Sequence, residues 1–353
     1  METRRLGRTG LEVSRIGFGG MTIPHVSREQ AVATVNRALD LGVNFIDTAR
    51  AYGNGDSEGK IGEVMKTRRD QCYLSSRSTR MDYEGMRGDI DRSLRTLGVD
   101  YIDLYEPHDV SRTSMYEQLM SENGAIKALH EAKEGGKIRF IGVTGHNWGL
   151  MQKLLASDHF DAALVTYNIA NREAETEVIP LAQQMDIGLF VMKVFGNARL
   201  LELSPVSERR KPTVEECLRF ALSNGDFPMI LTGVKAPEEI EQNVEIANTY
   251  EPLSEAAQKE IRDFGDRLGR GYCYGCDYCL PCPAEINIPA ILSLLEKQKR
   301  IDWEWPQYRQ RYAQFERTVD DCIDCGECEE ACPQHLPVRE LLREAKANLQ
   351  QPF

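Results

Sequence analysis

Several things are missing from this chain, and each absence excludes something. No apolar run approaches the roughly 20 residues of a bilayer-spanning helix, so a membrane span is not expected. The opening, METRRLGRTG, has no apolar core of the secretory type, and the expected site is the cytoplasm. Excess positive charge is absent too. A net charge of -12 argues against general affinity for phosphate backbones, so neither nucleic acid nor anionic membrane is an expected partner. No G-x-G-x-x-G follows the first strand candidate: Gly17 to Gly20 reads GFGG and runs into MTIPHV instead of a helix, which counts against a doubly wound sheet. Cysteine is scarce in the first three quarters, where only Cys72 and Cys217 occur.

What is present is a chain of 353 residues, 41% hydrophobic and 28% charged, long enough for one large core and a smaller unit. Eight further cysteines crowd into its last quarter, and in a cytosolic chain such clustering reads as metal ligation before disulfides. The shift in composition sets an expected boundary, with a first domain over 1–268 and a second over 269–353.

The first domain alternates short β-like runs with helical patterns, which predicts successive β-α units around a parallel sheet. A hairpin is expected around Gly7 to Gly10. Eight strand candidates follow, at Ser14 to Phe18, Asn44 to Thr48, Cys72 to Ser76, Tyr101 to Tyr105, Ile138 to Val143, Ala163 to Tyr167, Gly188 to Val194 and Met229 to Val234. Eight such strands suggest an α/β fold closed as a (β/α)8 TIM barrel. Helical patterns lie between them, such as Ser27 to Leu41 with Ser27 as N-cap, and Glu216 to Ser223. In NFIDTARAYGNGDSE, from Asn44 to Glu58, Asp47 falls at a strand's C-terminal end and Tyr52 on the loop behind it, which in such a barrel is the functional face. A buried, backbone-satisfied Asp beside a packed Tyr is the plainer alternative.

The residues also carry a resemblance. RRLGRTGLEVSRIGFGG, DTARAYG with DSEGKIGEVM, SLRTLGVDYIDLYEPH, ALHEAKEGGKIRFIGVTG and LTGVKAPEEIEQNVEIA together resemble the aldo-keto reductase family, over residues 1 to about 250 and in the family's order. The resemblance implies the barrel and an NAD(P)(H)-linked interconversion of a carbonyl and an alcohol. Its motif puts the catalytic aspartate, tyrosine and histidine on Asp47, Tyr52 and His108. Where it expects a lysine, this chain has Arg77. A carbonyl receiving hydride needs a proton on its oxygen, and a cation beside the phenol would make Tyr52 a better acid. Arginine keeps the charge but favours a grip on a carboxylate such as Asp47. His146 and Trp148 are substrate-pocket candidates, or ordinary loop packing.

By the same resemblance the nicotinamide contacts would be Thr144, Asn168 and Lys193, and the pyrophosphate contacts Gly196 to Arg199. Leu164 stands where relatives often have glutamine. Gly233, Val234, Lys235 and Asn243 would meet the adenosine end, where Glu238 and Glu239 disfavour a 2'-phosphate that Lys235 favours. The resemblance puts NADPH first and the charge makes NADH a near equal, while weak binding or a cofactor other than a nicotinamide also stays open.

The cysteines form two groups, Cys273-x2-Cys276-x2-Cys279-x2-Cys282-Pro283 and Cys322-x2-Cys325-x2-Cys328-x3-Cys332-Pro333. The second has the spacing of a bacterial ferredoxin run, whose last cysteine serves the other cluster. By that logic Cys273, Cys276 and Cys279 would hold one 4Fe-4S cluster with Cys332, and Cys322, Cys325 and Cys328 a second with Cys282. CPAEINIPAILSLLEK and CPQHLPVRELLREAK read as an internal repeat, and the insert between them is helical by pattern, as in an α-helical ferredoxin. Structural zinc is the competing reading on ligand count. The expected activity is an oxidoreductase acting on a small polar or sugar-like substrate, with a redox protein at the iron-sulfur unit open as a further partner. The alternative is an iron-sulfur electron-transfer or redox-sensing protein whose barrel lacks nicotinamide chemistry.

Overall fold

A computed structural model describes residues 1–202, 210–268, 272, 273, 275, 277–300, 305–332 and 334–350. The chain begins with the expected hairpin, β1 (Thr3–Arg5) paired antiparallel with β2 (Glu12–Ser14). Leu6, Leu11 and Val13 from this hairpin join Phe45, Leu104, Leu164 and Phe190 in one buried cluster. The approach is close: a Cβ on Gly7 would come within 2.2 Å of the Gly188 backbone nitrogen, so only glycine fits there.

Eight parallel strands then close into a barrel: β3 (Ile16–Gly19), β4 (Phe45–Asp47), β5 (Tyr73–Ser78), β6 (Ile102–Pro107), β7 (Ile138–Thr144), β8 (Ala162–Thr166), β9 (Gly188–Met192) and β10 (Met229–Gly233), with β10 returning to β3. All eight candidates are strands, and the differences lie at their ends. β5 runs on through Arg77 and Ser78, and β6 through Glu106 and Pro107, so residues expected just beyond the strands are part of the ladder. The crossover helix Arg28–Asp40 starts as expected, its Ser27 side chain accepting from the Gln30 amide at 3.2 Å.

The register decides what faces inward. Side chains alternate along a strand, and the pairs Phe45↔Tyr73, Asp47↔Ser75, Leu104↔Phe140 and Leu164↔Phe190 carry one parity around the barrel. The apolar members fill the lower interior. Continued toward the C-terminal ends, the same parity brings Asp47, Arg77 and Glu106 inside.

By packing, Met1–Val194 with Val214–Gln258 form one unit, and Phe195–Thr213 with Lys259–Phe353 form another. The second unit is helical, with helices Ile288–Arg300, Trp305–Tyr312 and Val338–Leu349. Its core contains Ile291, Leu292, Leu295, Tyr308, Tyr312, Leu342, Ala345 and Leu349, with cysteines packed against it. The two cysteine-to-helix segments share a turn. Glu285 and His335, each three residues after a cysteine, have φ of 57° and 49°. Their amides donate back to the carbonyls of Cys282 at 2.8 Å and Cys332 at 3.0 Å. Among the described residues no helix is long and apolar enough to cross a membrane.

Candidate functional sites

Asp47 ends β4 and is 2% exposed, as is Arg77 on β5. Arg77 Nη2 donates to Asp47 Oδ1. Its Nη1 lies 3.5 Å from the hydroxyl of Tyr52, whose ring keeps part of its surface exposed on the loop while the phenol end reaches inward. The expected pair of Asp47 and Arg77 is thus made, and the guanidinium still touches the phenol. Burial, with the charge of Glu106 adding to it, holds the Tyr52 hydroxyl well above the usual phenol range.

Glu106 had gone unremarked in the sequence. It is fully buried on β6, and its Oε2 lies 3.1 Å from Arg77 Nε. Burial raises its carboxyl to about 7, with Arg77 pulling it back. The signal was available in YEPHD, where Glu106 stands two residues before His108 and so shares its strand face.

His108 is 7% exposed, and its ring meets that of Tyr52 edge-on, with centroids 5.8 Å apart. Burial, then the charges of Arg77 and Lys193, keep its pKa well below the ordinary imidazole value, so the ring is neutral at pH 7. Its Nδ1 is buried and accepts no hydrogen bond.

The other candidates are partly committed. Lys193, left-handed at φ 58°, brings its Nζ to 3.1 Å from His146 Nε2, and Thr166 Oγ1 lies 3.2 Å from His146 Nδ1. His146 is thus drawn into the interior, while Trp148 stands half-buried at a helix start. Thr144 Oγ1 accepts from the Asp109 amide at 2.9 Å. Asn168 donates to the Lys193 carbonyl at 2.9 Å and accepts from the amides of Ala170 and Asn171, acting as a loop staple. Leu164 is an interior core residue, 1% exposed, away from the barrel mouth. Gly196 and Arg199 belong to segment 195–213 of the second unit, and the Arg199 side chain lies outside the described residues.

At the end of β10, Gly233, Val234 and Lys235 lead into the helix Pro237–Asn248. Glu239 Oε2 accepts from the Lys235 amide at 2.6 Å. Asn243 lies inside that helix and is 3% exposed.

In the second unit one cavity is lined by Cys282, Cys322, Cys325 and Cys328, with Cys279 and the apolar Ile286, Ile288 and Leu342. Another is lined by Cys273, Cys279 and Cys332, with Cys328. Each motif's last cysteine thus lines the cavity of the other motif. Cys276 lies outside the described residues. The loops match in backbone as well: Gly275 and Asp324 have φ of 61° and 59°, and Asp277 and Gly326 have 63° and 82°. Left-handed residues alternating along a loop are the backbone form of concave anion sites. The described cysteines form no disulfide, and among the described residues no three His, Cys, Asp or Glu side chains converge as a site for one metal ion. Thiols ringing a cavity fit a cluster better than tetrahedral zinc.

Residues 15–214 match the aldo/keto reductase family, and residues 272–336 match a 4Fe-4S dicluster domain. The chain is 29% identical to L-galactose dehydrogenase of Arabidopsis thaliana, over 72% of this chain and 90% of that one. It is 26% identical to an NADH-specific methylglyoxal reductase of Escherichia coli (strain K12), over 75% and 98%. Among solved structures it resembles the holo form of an aldo-keto reductase from Bacillus halodurans, with TM-score 0.65 and 23% identity over 75% of this chain and 96% of that one. An aldo/keto reductase from Klebsiella pneumoniae in complex with NADP and acetate gives 0.62 and 23%, over 75% and 95%.

Proposed function

Because the chain belongs to the aldo/keto reductase family, we propose that its barrel interconverts a carbonyl and an alcohol of a small polar or sugar-like molecule with a nicotinamide cofactor, and that its helical unit carries two 4Fe-4S clusters. The observation that carries the first part is the convergence of Tyr52, Arg77 and Asp47, with His108 beside them, at the C-terminal mouth of the barrel. His108, neutral and donating from a ring N–H, orients and polarises the carbonyl oxygen. Tyr52 delivers its proton to that oxygen and recovers it in the reverse direction. Arg77 steadies the phenolate as it forms, and Asp47 fixes Arg77. A bound nicotinamide supplies hydride to the carbonyl carbon or takes it back.

NADH is the favoured cofactor, on the strength of Glu239 at the Lys235 amide. The crossed lining of the two cavities supports one cluster on Cys273, Cys276, Cys279 and Cys332, and another on Cys282, Cys322, Cys325 and Cys328.

Tyr52→Phe is expected to lower kcat by about 10² or more with NADH binding retained. Undiminished turnover would remove Tyr52 from the reaction. A second reading, a redox protein whose barrel has left nicotinamide chemistry, draws on the carboxylates on both sides of Arg77 and on Leu164 in the core. Titration of anaerobically purified protein separates the two: binding of neither NADH nor NADPH favours the second.

A further inference from the structure

The parity that joins Asp47 to Arg77 also brings in a carboxylate that the reaction as described does not use. Glu106 is paired with Arg77 in the β5–β6 register, and its side chain lies against the Nε edge of that guanidinium. Neither carboxylate oxygen has a hydrogen-bond partner. On the other side β7 presents Gly142, where a Cβ would come 3.0 Å from both Glu106 Cγ and Oε1, so this glycine makes the room the carboxylate occupies. The groups facing Glu106 are Arg77 from β5, Tyr52 from the loop after β4, and the uncharged Gly142, with Asp47 beyond the guanidinium. One cation is therefore held between two buried carboxylates, and it cannot neutralise both.

We propose that Glu106 is a positioning residue for the reaction: by holding the Nε edge of Arg77 it fixes the guanidinium between two strands and sets how readily Tyr52 gives up its proton. This rests on the reading of Tyr52 as the proton donor. With Glu106 ionised, the positive charge of Arg77 is more than cancelled and the phenol resists ionisation. With a solvent proton on Glu106, Arg77 and Asp47 balance and the phenol becomes more acidic. The raised Glu106 carboxyl, at about 7, puts that change in the neutral range.

The test compares native protein with Glu106→Gln, holding both clusters, by ultraviolet titration of the Tyr52 phenolate, with Tyr52→Phe as the subtracted background. The Gln variant should ionise Tyr52 about one pH unit or more lower. In turnover, the limb of the native kcat–pH profile near neutrality should vanish in the variant. An unshifted or upward-shifted phenolate titration in a folded Glu106→Gln protein overturns the proposal. Glu106→Asp, which keeps the charge but withdraws it, should give a smaller downward shift, and it decides the matter if the Gln variant does not fold. Absence of any carbonyl turnover would count against the proposed reaction, while the phenolate titration still decides the role of Glu106.

Discussion

Arginine at position 77 is the residue on which the interior charge depends, since Asp47 and Glu106 approach it from two strands. Removing it while keeping its bulk, as in Arg77→Met, leaves both carboxylates buried without a cation, and the loss of stability is expected at about 3–5 kcal/mol in urea unfolding. The loss should grow with pH. Glu106 has its folded-state carboxyl raised to about 7 from an ordinary 4.5, so the folded protein holds a proton there that the unfolded chain releases. Stability linked to that group is complete below about pH 4.5 and is lost as pH rises through 7. Without Arg77 the carboxyl rises further, and unfolding at pH 5 and pH 8 should differ more in Arg77→Met than in the native protein. An equal difference would show that Arg77 does not act on Glu106. The grip of Arg77 on Asp47 was legible in the sequence, because an arginine beside a strand-end aspartate favours that pair. Glu106 was not read because a glutamate in a mixed run looks solvated until register turns it inward.

At the scale of elements, strand existence was legible and strand ends were not. Periodicity marks where apolar residues alternate, but the ladder of β5 and β6 continues through Arg77 and Glu106, which the pattern treats as exits. The loop after β10 is a similar case, readable in composition and not in geometry. Glu238 and Glu239 stand in the first turn of the helix Pro237–Asn248, and only the fold shows the Glu239 carboxylate accepting from the Lys235 amide. A carboxylate on that amide opposes a 2'-phosphate by like charge and by occupying its donor. Glu239→Ala should therefore tighten NADPH binding by about tenfold, a coupling of roughly 1.4 kcal/mol, and leave NADH binding nearly unchanged. Fluorescence titration of both nucleotides measures this, and equal gains for the two would point to general charge in place of a specific contact.

At the scale of the whole molecule, the second unit contains a repeat in which each half's last cysteine lines the cavity of the other half. Cysteine spacing and the following prolines made the repeat legible. The shared turns were not, because of the six left-handed positions only Gly275 and Gly326 are glycines, while Asp277, Glu285, Asp324 and His335 adopt the same conformation without that signal. Cys282 lines the cavity of Cys322, Cys325 and Cys328, and Cys332 lines that of Cys273 and Cys279, so loss of a last cysteine should harm the distant motif. A thiolate bound to iron resists alkylation, whereas a thiol that has lost its iron is open to the reagent once the loop is loosened. Alkylation followed by peptide mass analysis, after mild unfolding, therefore reads which thiols had lost iron. Cys282→Ala should expose Cys322, Cys325 and Cys328 to label while Cys273, Cys276 and Cys279 stay protected, and Cys332→Ala should give the reverse. Iron should fall from about eight per chain toward about four in either variant. Labelling confined to the mutated motif itself would mean that each motif holds its own cluster, and the crossing would be wrong.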